Sequence, residues 1–202
     1  MAFLIRMGRP HDADGIAQTV AEAFYPEFRR LSRDPARLAK ALSGMVDPAR
    51  FAVAEEGETG AIVGAAALSD GAGYAITARR DALARALGAV RGGLSFGVLK
   101  RELQRPARFA PGQAQVDFVG VRLRARGRGL ARGILAFLLS RGGYARYTLD
   151  VMEGNERVLP LYAGLGFREI RREKEKGGWY KGFSFRYVME RPGQETGGGG
   201  LP

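Results

Sequence analysis

Residues 119–133, reading VGVRLRARGRGLARG, constrain the fold more than any other stretch of this chain. Ala114–Val121 is apolar enough for a buried strand, and it leads straight into Arg124, Arg126, Gly127, Arg128 and Gly129. Beyond them, Leu130, Ile134, Phe137 and Leu138 recur at helical spacing, which predicts a helix that ends at Gly142-Gly143. Strand, glycine turn and helix start, in that order, bring unpaired main-chain N–H groups and the positive end of a helix dipole to one point. Glycine lets the backbone approach a ligand closely, and arginine suits a ligand with several phosphates. The segment predicts a turn that grips a pyrophosphate.

The rest of the chain sets limits on what such a turn can serve. With 202 residues the chain is long enough for one well-packed domain. There is no cysteine, which excludes disulfides, thiolate metal ligands and a cysteinyl intermediate. The single histidine, His11, lies beside Asp12 where a helix begins and reads as a surface residue at that cap. No metal site is expected, and acid–base work falls to carboxylates, tyrosine, a terminus or water. No apolar run is long enough to span a bilayer, and Arg6, Arg9 and His11 interrupt any leader-like start, so a cytoplasmic location is expected. The net charge is +11. Arg122–Arg132 holds five arginines and no acid, which suits a polyanion, and residues 71–111 hold eight basic residues against Asp81 and Glu102.

Periodicity and punctuation predict the order of elements. Phe3–Met7 reads as a strand. Asp12 opens a helix carrying Ile16, Val20, Ala23 and Phe24, and Asp34-Pro35 opens a second with Leu38, Leu42 and Met45. Phe51–Glu55 and Ala61–Leu68 read as a β-hairpin. Arg79–Val90 and Leu94–Gln104 read as helical, with Leu83, Leu87 and Val90 docking the first piece. Arg146–Val151 reads as a strand and Asn155–Leu165 as a short helix starting late, near Pro160. Phe167–Lys176 and Phe183–Glu190 are expected as two strands joined across Gly177-Gly178. The expected fold is α+β with a mixed sheet flanked by helices, one domain over residues 1–191 with 71–111 as an elaboration and 192–202 as a disordered tail.

Two nucleotide-binding patterns compete for the turn. Gly127, Gly129 and Gly133 are spaced G-x-G-x-x-x-G, one residue off the dinucleotide fingerprint, although Asp150 lies about where a ribose-binding acid would. That keeps a nucleotide-dependent oxidoreductase as a lesser alternative. A phosphate-binding Gly-Lys-Ser/Thr loop is absent from the sequence.

The turn more closely resembles the acetyl-CoA-binding signature of the GCN5-related N-acetyltransferase (GNAT) superfamily, Gln/Arg-x-x-Gly-x-Gly/Ala, here Arg124-x-x-Gly127-x-Gly129. A second stretch, Leu149-Asp150-Val151, Asn155 and Leu161-Tyr162-x-x-Leu165-Gly166-Phe167, resembles that family's second cofactor motif. The opening Ile5-Arg6, Asp12-x-x-x-Ile16 and Glu22-Ala23-Phe24 is similar to its first strand and helix, and Val63-Gly64 lies where its hairpin would. The resemblance covers about residues 3–70 and 112–190.

It implies an acetyl-CoA-dependent N-acetyltransferase that passes an acetyl group directly to a primary amine in a ternary complex. Main-chain N–H groups of Gly127, Arg128, Gly129, Leu130 and Ala131 would hold the CoA pyrophosphate, with Arg124, Arg126, Arg128 and Arg132 in reach of phosphate. Val119 and Val121 would pair with the pantetheine amides, and a strand N–H would polarise the thioester carbonyl. Tyr162 matches the family's acid for the departing thiolate, with a packed tyrosine as the alternative. Asn155 either caps its helix or contacts the cofactor or Tyr162. Where some members carry a glutamate base this chain has Gln115, which leaves Asp117, two residues on and on the same face, as base or as the partner of an arginine. Glu22 and Tyr180 are weaker base candidates. The acceptor is a small-molecule, peptide or protein amine, the basic surface speaks mildly against polyamines, and a homodimer is possible. The main alternative is a non-catalytic basic module on the same fold, for nucleic acid or a membrane, although neither partner is expected here. Arginines such as Arg79, Arg85 and Arg91 of the 71–111 segment are expected near solvent or the acceptor.

Overall fold

The computed structural model describes residues 2–104, 109–175 and 183–193. Seven strands form one mixed sheet: β1 (Phe3–Met7), β2 (Phe51–Glu56), β3 (Ile62–Asp70), β4 (Gln113–Val121), β5 (Arg146–Met152), β6 (Arg168–Lys174) and β7 (Phe185–Pro192). Their spatial order is β1-β2-β3-β4-β5-β7-β6. Every neighbouring pair is antiparallel except β4–β5, which is parallel. A parallel pair needs a crossover, and α6 (Leu130–Ser140) supplies it.

The helices cover both faces. Before β4 come α1 (Ala13–Ala23), α2 (Tyr25–Phe28), α3 (Pro35–Ser43), α4 (Arg80–Leu87) and α5 (Ala89–Leu103), and after β5 comes the short α7 (Leu159–Ala163). Ile16, Val20, Leu38, Leu42 and Leu83 pack with Phe51 and Val53 on one face. On the other, Ile134, Leu135 and Leu138 of α6 pack with Leu149, Val151 and Phe167. The helical spacing seen in the sequence is thus the spacing of two buried stripes.

The capping signals behave differently at two sites. Asp34 accepts hydrogen bonds from the N–H groups of Ala36 and Arg37, as its position before Pro35 predicts. Asp12 makes no side-chain cap to α1. It closes a preceding 3₁₀ turn, accepts from the Arg9 N–H, and takes two hydrogen bonds from Arg6 at 2.6 and 2.9 Å. A guanidinium offering a bidentate pair outcompetes a single backbone N–H for that carboxylate. His11 is exposed beside it.

In the 71–111 segment, Leu83 is buried and Leu87 is packed against the same cluster, but Val90 is 79% exposed. Gly88 adopts φ +86 and ends α4, so Val90 belongs to the first turn of α5 in a new phase. At the far end, β7 runs to Pro192, and the Gly193 N–H donates to the Ala145 carbonyl. The expected tail from 194 onward, the Gly177-Gly178 turn and Tyr180 lie outside the described residues. No helix among the described residues is long and apolar enough to cross a membrane.

Candidate active site

The site begins with an irregularity in β4. Across β3, Ala67 pairs with Asp117 while Ala65 pairs with Gly120, which leaves Phe118 and Val119 opposite the single residue Ala66. This is a β-bulge, and Phe118 carries φ 53, the one left-handed non-glycine residue among those described. A bulky residue in that region costs roughly 1–2 kcal/mol. The Phe118 ring offsets that cost by packing edge-on to Phe24 and stacked on Phe51, with centroids 6.0 and 6.3 Å away.

The bulge resets the strand's alternation. Ala114 and Val116 face the α6 layer before it, and Val119 and Val121 face that layer after it. On the other edge, the β4–β5 ladder covers Gln113–Gln115 against Arg146–Thr148 and stops there. Beyond that point the strands part. A cleft of about 1030 Å³ opens, lined by Gln115–Val121 on one side and Leu149–Asn155 on the other.

At one end of the cleft sits the arginine–glycine turn. Gly127 and Gly129 adopt φ 75 and 74, and an added Cβ at either would meet nothing within 4 Å. The left-handed backbone explains the glycines, and the open space before them leaves main-chain N–H groups accessible. Gly129 is also the N-cap of α6, whose first N–H groups have no intrahelical acceptor. Arg126, Gly127, Gly129, Leu130, Ala131 and Arg132 all line the cleft.

The arginines divide into two groups. Arg124 points away, giving Glu56 at the end of β2 two hydrogen bonds at 2.7 and 3.0 Å. Glu56 is only 2% exposed and also accepts from Thr59, so its charge needs that partner. Arg128 lies over the Phe3 ring at 5.5 Å. In this arrangement a buried carboxylate holds the Arg124 guanidinium, and an aromatic face lies under that of Arg128. Arg126 donates to the Val121 carbonyl and Arg132 to the Gly164 carbonyl, and both remain on the cleft wall.

The Arg124 guanidinium, with help from Thr59, holds the Glu56 carboxyl down at about 2, against an ordinary value of 4.5. A carboxyl depressed in the folded state stabilises the fold above its unfolded value and loses that contribution as pH falls through its folded value. Thermal unfolding followed from pH 6 downward should show a drop between about 4.5 and 2 that Glu56→Gln, already lacking the charge, shows less of. Parallel curves for the two proteins would contradict the pairing.

Across from β4, Tyr162 of α7 is 7% exposed and lines the cleft, with Phe167 edge-on at 6.1 Å. Among the described residues its hydroxyl has no hydrogen-bond partner, and burial pushes its pKa up to about 12. The phenol is therefore protonated throughout the neutral range. Asn155 lines the same wall and accepts from Arg157 Nε at 3.3 Å, making no side-chain cap.

The two carboxylate candidates for the base differ in their surroundings. Glu22 accepts from Arg122 Nε and the Leu123 N–H, which hold its pKa down against the opposing effect of burial. It braces the turn as an ion and has little basicity. Asp117 lines the cleft on the same face as Gln113 and Gln115. The Gln113 amide donates to the Thr148 hydroxyl, which places Thr148 and hence Asp150 on that face too. Two residues past the last ladder pair, Gln115–Thr148, Asp117 comes level with Asp150 where the strands part.

The arginines of α4 lie away from the cleft. Arg79 and Arg85 pair with Asp81 on the exposed side of α4, and neither they nor Arg91 line the cleft. Among the described residues, the part of the 71–111 segment that reaches the cleft is Tyr74, Val98, Leu99, Glu102, Leu103 and Phe109. Of the two places expected for these arginines, solvent or the acceptor, the structure gives solvent, with Asp81 holding Arg79 and Arg85 on the outer face. Charge reversal at Arg85 and Arg91 should leave the KM of any amine acceptor within about twofold of the parent, as steady-state rates would show.

Arg186 of β7 is a residue that the sequence did not single out. It lines the cleft and contacts Glu175 at 2.5 Å, Glu102 at 3.3 Å and Asp150 at 3.9 Å, with the Phe183 ring 5.1 Å away. These partners come from four separate segments. No short motif joins them.

The sequence profile described as the acetyltransferase (GNAT) family matches residues 16–167. No curated protein sequence matches significantly. Among solved structures, a histone acetyltransferase HPA2 and related acetyltransferase from Corynebacterium glutamicum is 21% identical, with a TM-score of 0.65 and 96% of this chain and 97% of that one covered. An N-acetyltransferase from Staphylococcus aureus is 18% identical at a TM-score of 0.59, covering 93% of this chain and 99% of the other. The NatC complex bound to Gag peptide and CoA is 12% identical at 0.56, covering 95% and 99%. At these identities the likeness is one of fold.

Proposed function

This chain belongs to the acetyltransferase (GNAT) family and is an acyltransferase, and from that premise we propose that it moves an acetyl group from acetyl-CoA directly to a primary amine within a ternary complex. The observation that carries the reading is the cleft where β4 and β5 part, with a left-handed glycine turn at one end and, on its wall, a buried tyrosine whose hydroxyl has no partner among the described residues. Separate sites for donor and acceptor along one cleft suit direct transfer.

The residues fit the donor. N–H groups of Gly127, Arg128, Gly129, Leu130 and Ala131 would cradle the pyrophosphate, aided by the dipole of α6. Arg126 and Arg132 would supply side-chain charge, while Arg124 braces the turn from behind through Glu56. Main-chain groups at Val119 and Val121, released from pairing with β5, would hold the pantetheine arm. A fold relative, the NatC complex, was solved with CoA. The thioester supplies an activated acyl carbon and a thiolate leaving group.

The chain's own groups would handle the protons. Asp117, directly or through water, takes the proton that frees the amine's lone pair. The amine nitrogen then bonds to the acyl carbon as the carbon–sulfur bond breaks. Tyr162 gives its phenolic proton to the sulfur, and Asn155 helps fix the arm beside it. Holding donor and acceptor in one cleft converts a bimolecular reaction into a nearly intramolecular one. The test is calorimetry with acetyl-CoA and CoA, alongside NADH and an oligonucleotide. Binding of the two CoA species alone is the expected result, and tighter binding of either control would overturn the reading.

A further inference from the structure

Arg132 joins two parts of the cleft that the proposed chemistry needs in register. It is the third residue of α6 and so belongs to the helix start at the donor end. Its Nη2 donates to the carbonyl of Gly164, the residue that ends α7, at 3.0 Å. Arg132 and Tyr162 both line the cleft. One guanidinium therefore spans from the glycine turn to the helix that carries the tyrosine.

α7 is short and lacks the usual end signals. Val158 gives it no side-chain cap, its first turn has no acidic residue and its last turn no basic one. The carbonyls at its end are taken up in order: Pro160 accepts from the Gly164 N–H, Tyr162 from those of Leu165 and Phe167, and Ala163 from that of Gly166. The Gly164 carbonyl comes next, and Arg132 is its donor. A cation there also offsets the negative end of the helix dipole. Gly164 makes room for this contact. Its φ of −67 and ψ of −9 are open to any residue, so the backbone does not call for glycine. An added Cβ would lie 2.9 Å from Arg132 Nη1 and 3.2 Å from the Pro160 carbonyl oxygen. The guanidinium takes the place of a side chain. Exposed to water, this bond adds little to global stability. Its leverage is local: the Tyr162 hydroxyl has no partner among the described residues, so ring packing and the helix itself place it.

We propose that Arg132 is a positioning residue for acyl transfer, clamping the end of α7 to the start of α6 and so fixing the Tyr162 hydroxyl relative to the donor. This rests on reading the cleft as an acyl-transfer site with Tyr162 as its acid. A guanidinium has five N–H donors, and among the described residues the Gly164 carbonyl takes one. The others remain for a phosphate at the turn. A bound donor then draws on the same planar group that holds α7, and its binding steadies the acid through one side chain.

Gly164→Ala tests the clamp without removing its charge, since the methyl displaces the flexible end of Arg132. Single-turnover release of CoA thiol is followed with whichever of phenethylamine and trialanine the parent acetylates faster. Gly164→Ala should lower that rate about tenfold while acetyl-CoA affinity stays within about twofold by calorimetry. Arg132→Ala should slow the step by a similar factor and weaken acetyl-CoA binding as well. Adding Gly164→Ala to Arg132→Ala, or to Tyr162→Phe, should then change the rate by less than about twofold, because each removes what the methyl acts through. A Gly164→Ala rate within about twofold of the parent would overturn the inference, as would a loss of about tenfold that persists in either double variant. Amide exchange over residues 159–167 reads the clamp without activity and should quicken in both single variants. Unchanged exchange in folded variants would overturn the clamp. Quickened exchange in a protein that neither binds acetyl-CoA nor acetylates an amine would keep the clamp and remove the proposed function beneath it.

Discussion

Gly129→Glu should abolish acetyl-CoA binding in a protein that still folds. The substitution acts in two ways that can be separated. Gly129 sits at φ 74, so any side chain there carries a left-handed strain of roughly 1–2 kcal/mol. The space around an added Cβ is open, so no neighbour in the fold is displaced. Gly129→Ala therefore reports the strain alone and should weaken binding modestly. Glutamate adds a carboxylate before the N–H groups of α6, at the position proposed for a pyrophosphate, where like charges meet at close range. Calorimetry on both variants, with thermal unfolding as a check on folding, decides the matter. Undiminished affinity in a folded Gly129→Glu protein would remove the turn from the cofactor site.

Tyr162→Phe should leave acetyl-CoA affinity intact and slow the chemical step by about 10²–10⁴. Phenylalanine keeps the ring and its edge-on contact with Phe167 and removes only the hydroxyl. That hydroxyl makes no internal hydrogen bond among the described residues, so its loss strands no partner. With a pKa near 12 in the folded protein, the phenol remains protonated across the neutral range and should give no alkaline loss of activity of its own below about pH 10. Single-turnover rates test this. A rate within about twofold of the parent, with chemistry limiting, would leave Tyr162 as a packing residue.

Most of the fold was legible because local rules and tertiary packing agree. Asp34-Pro35 starts a helix, the hairpin at 51–70 forms as expected, and the glycine turn lies between β4 and α6. The departures come from competition over distance. Asp12 reads as a cap until Arg6 offers it a stronger pair, and Arg124 reads as a phosphate ligand until Glu56, 68 positions away, claims it. Val90 continues the spacing of Leu83 and Leu87, but one left-handed glycine changes the phase. The acidic environment of Arg186 was out of reach because it is assembled from four segments with no shared pattern.

The bulge at Phe118 is a matter of count and not of identity: one strand has a residue more than its neighbour requires. Point substitutions along β4 can alter what the cleft touches, yet none of them changes that count. Removing the extra residue would restore regular pairing with β3, with Val119 and Val121, shifted by one position, still facing the α6 layer that Ala114 and Val116 face. The bulge is thus robust to the commonest class of mutation and vulnerable to a rare one. Side chains along β4 can therefore vary residue by residue while the bulge that they flank is kept.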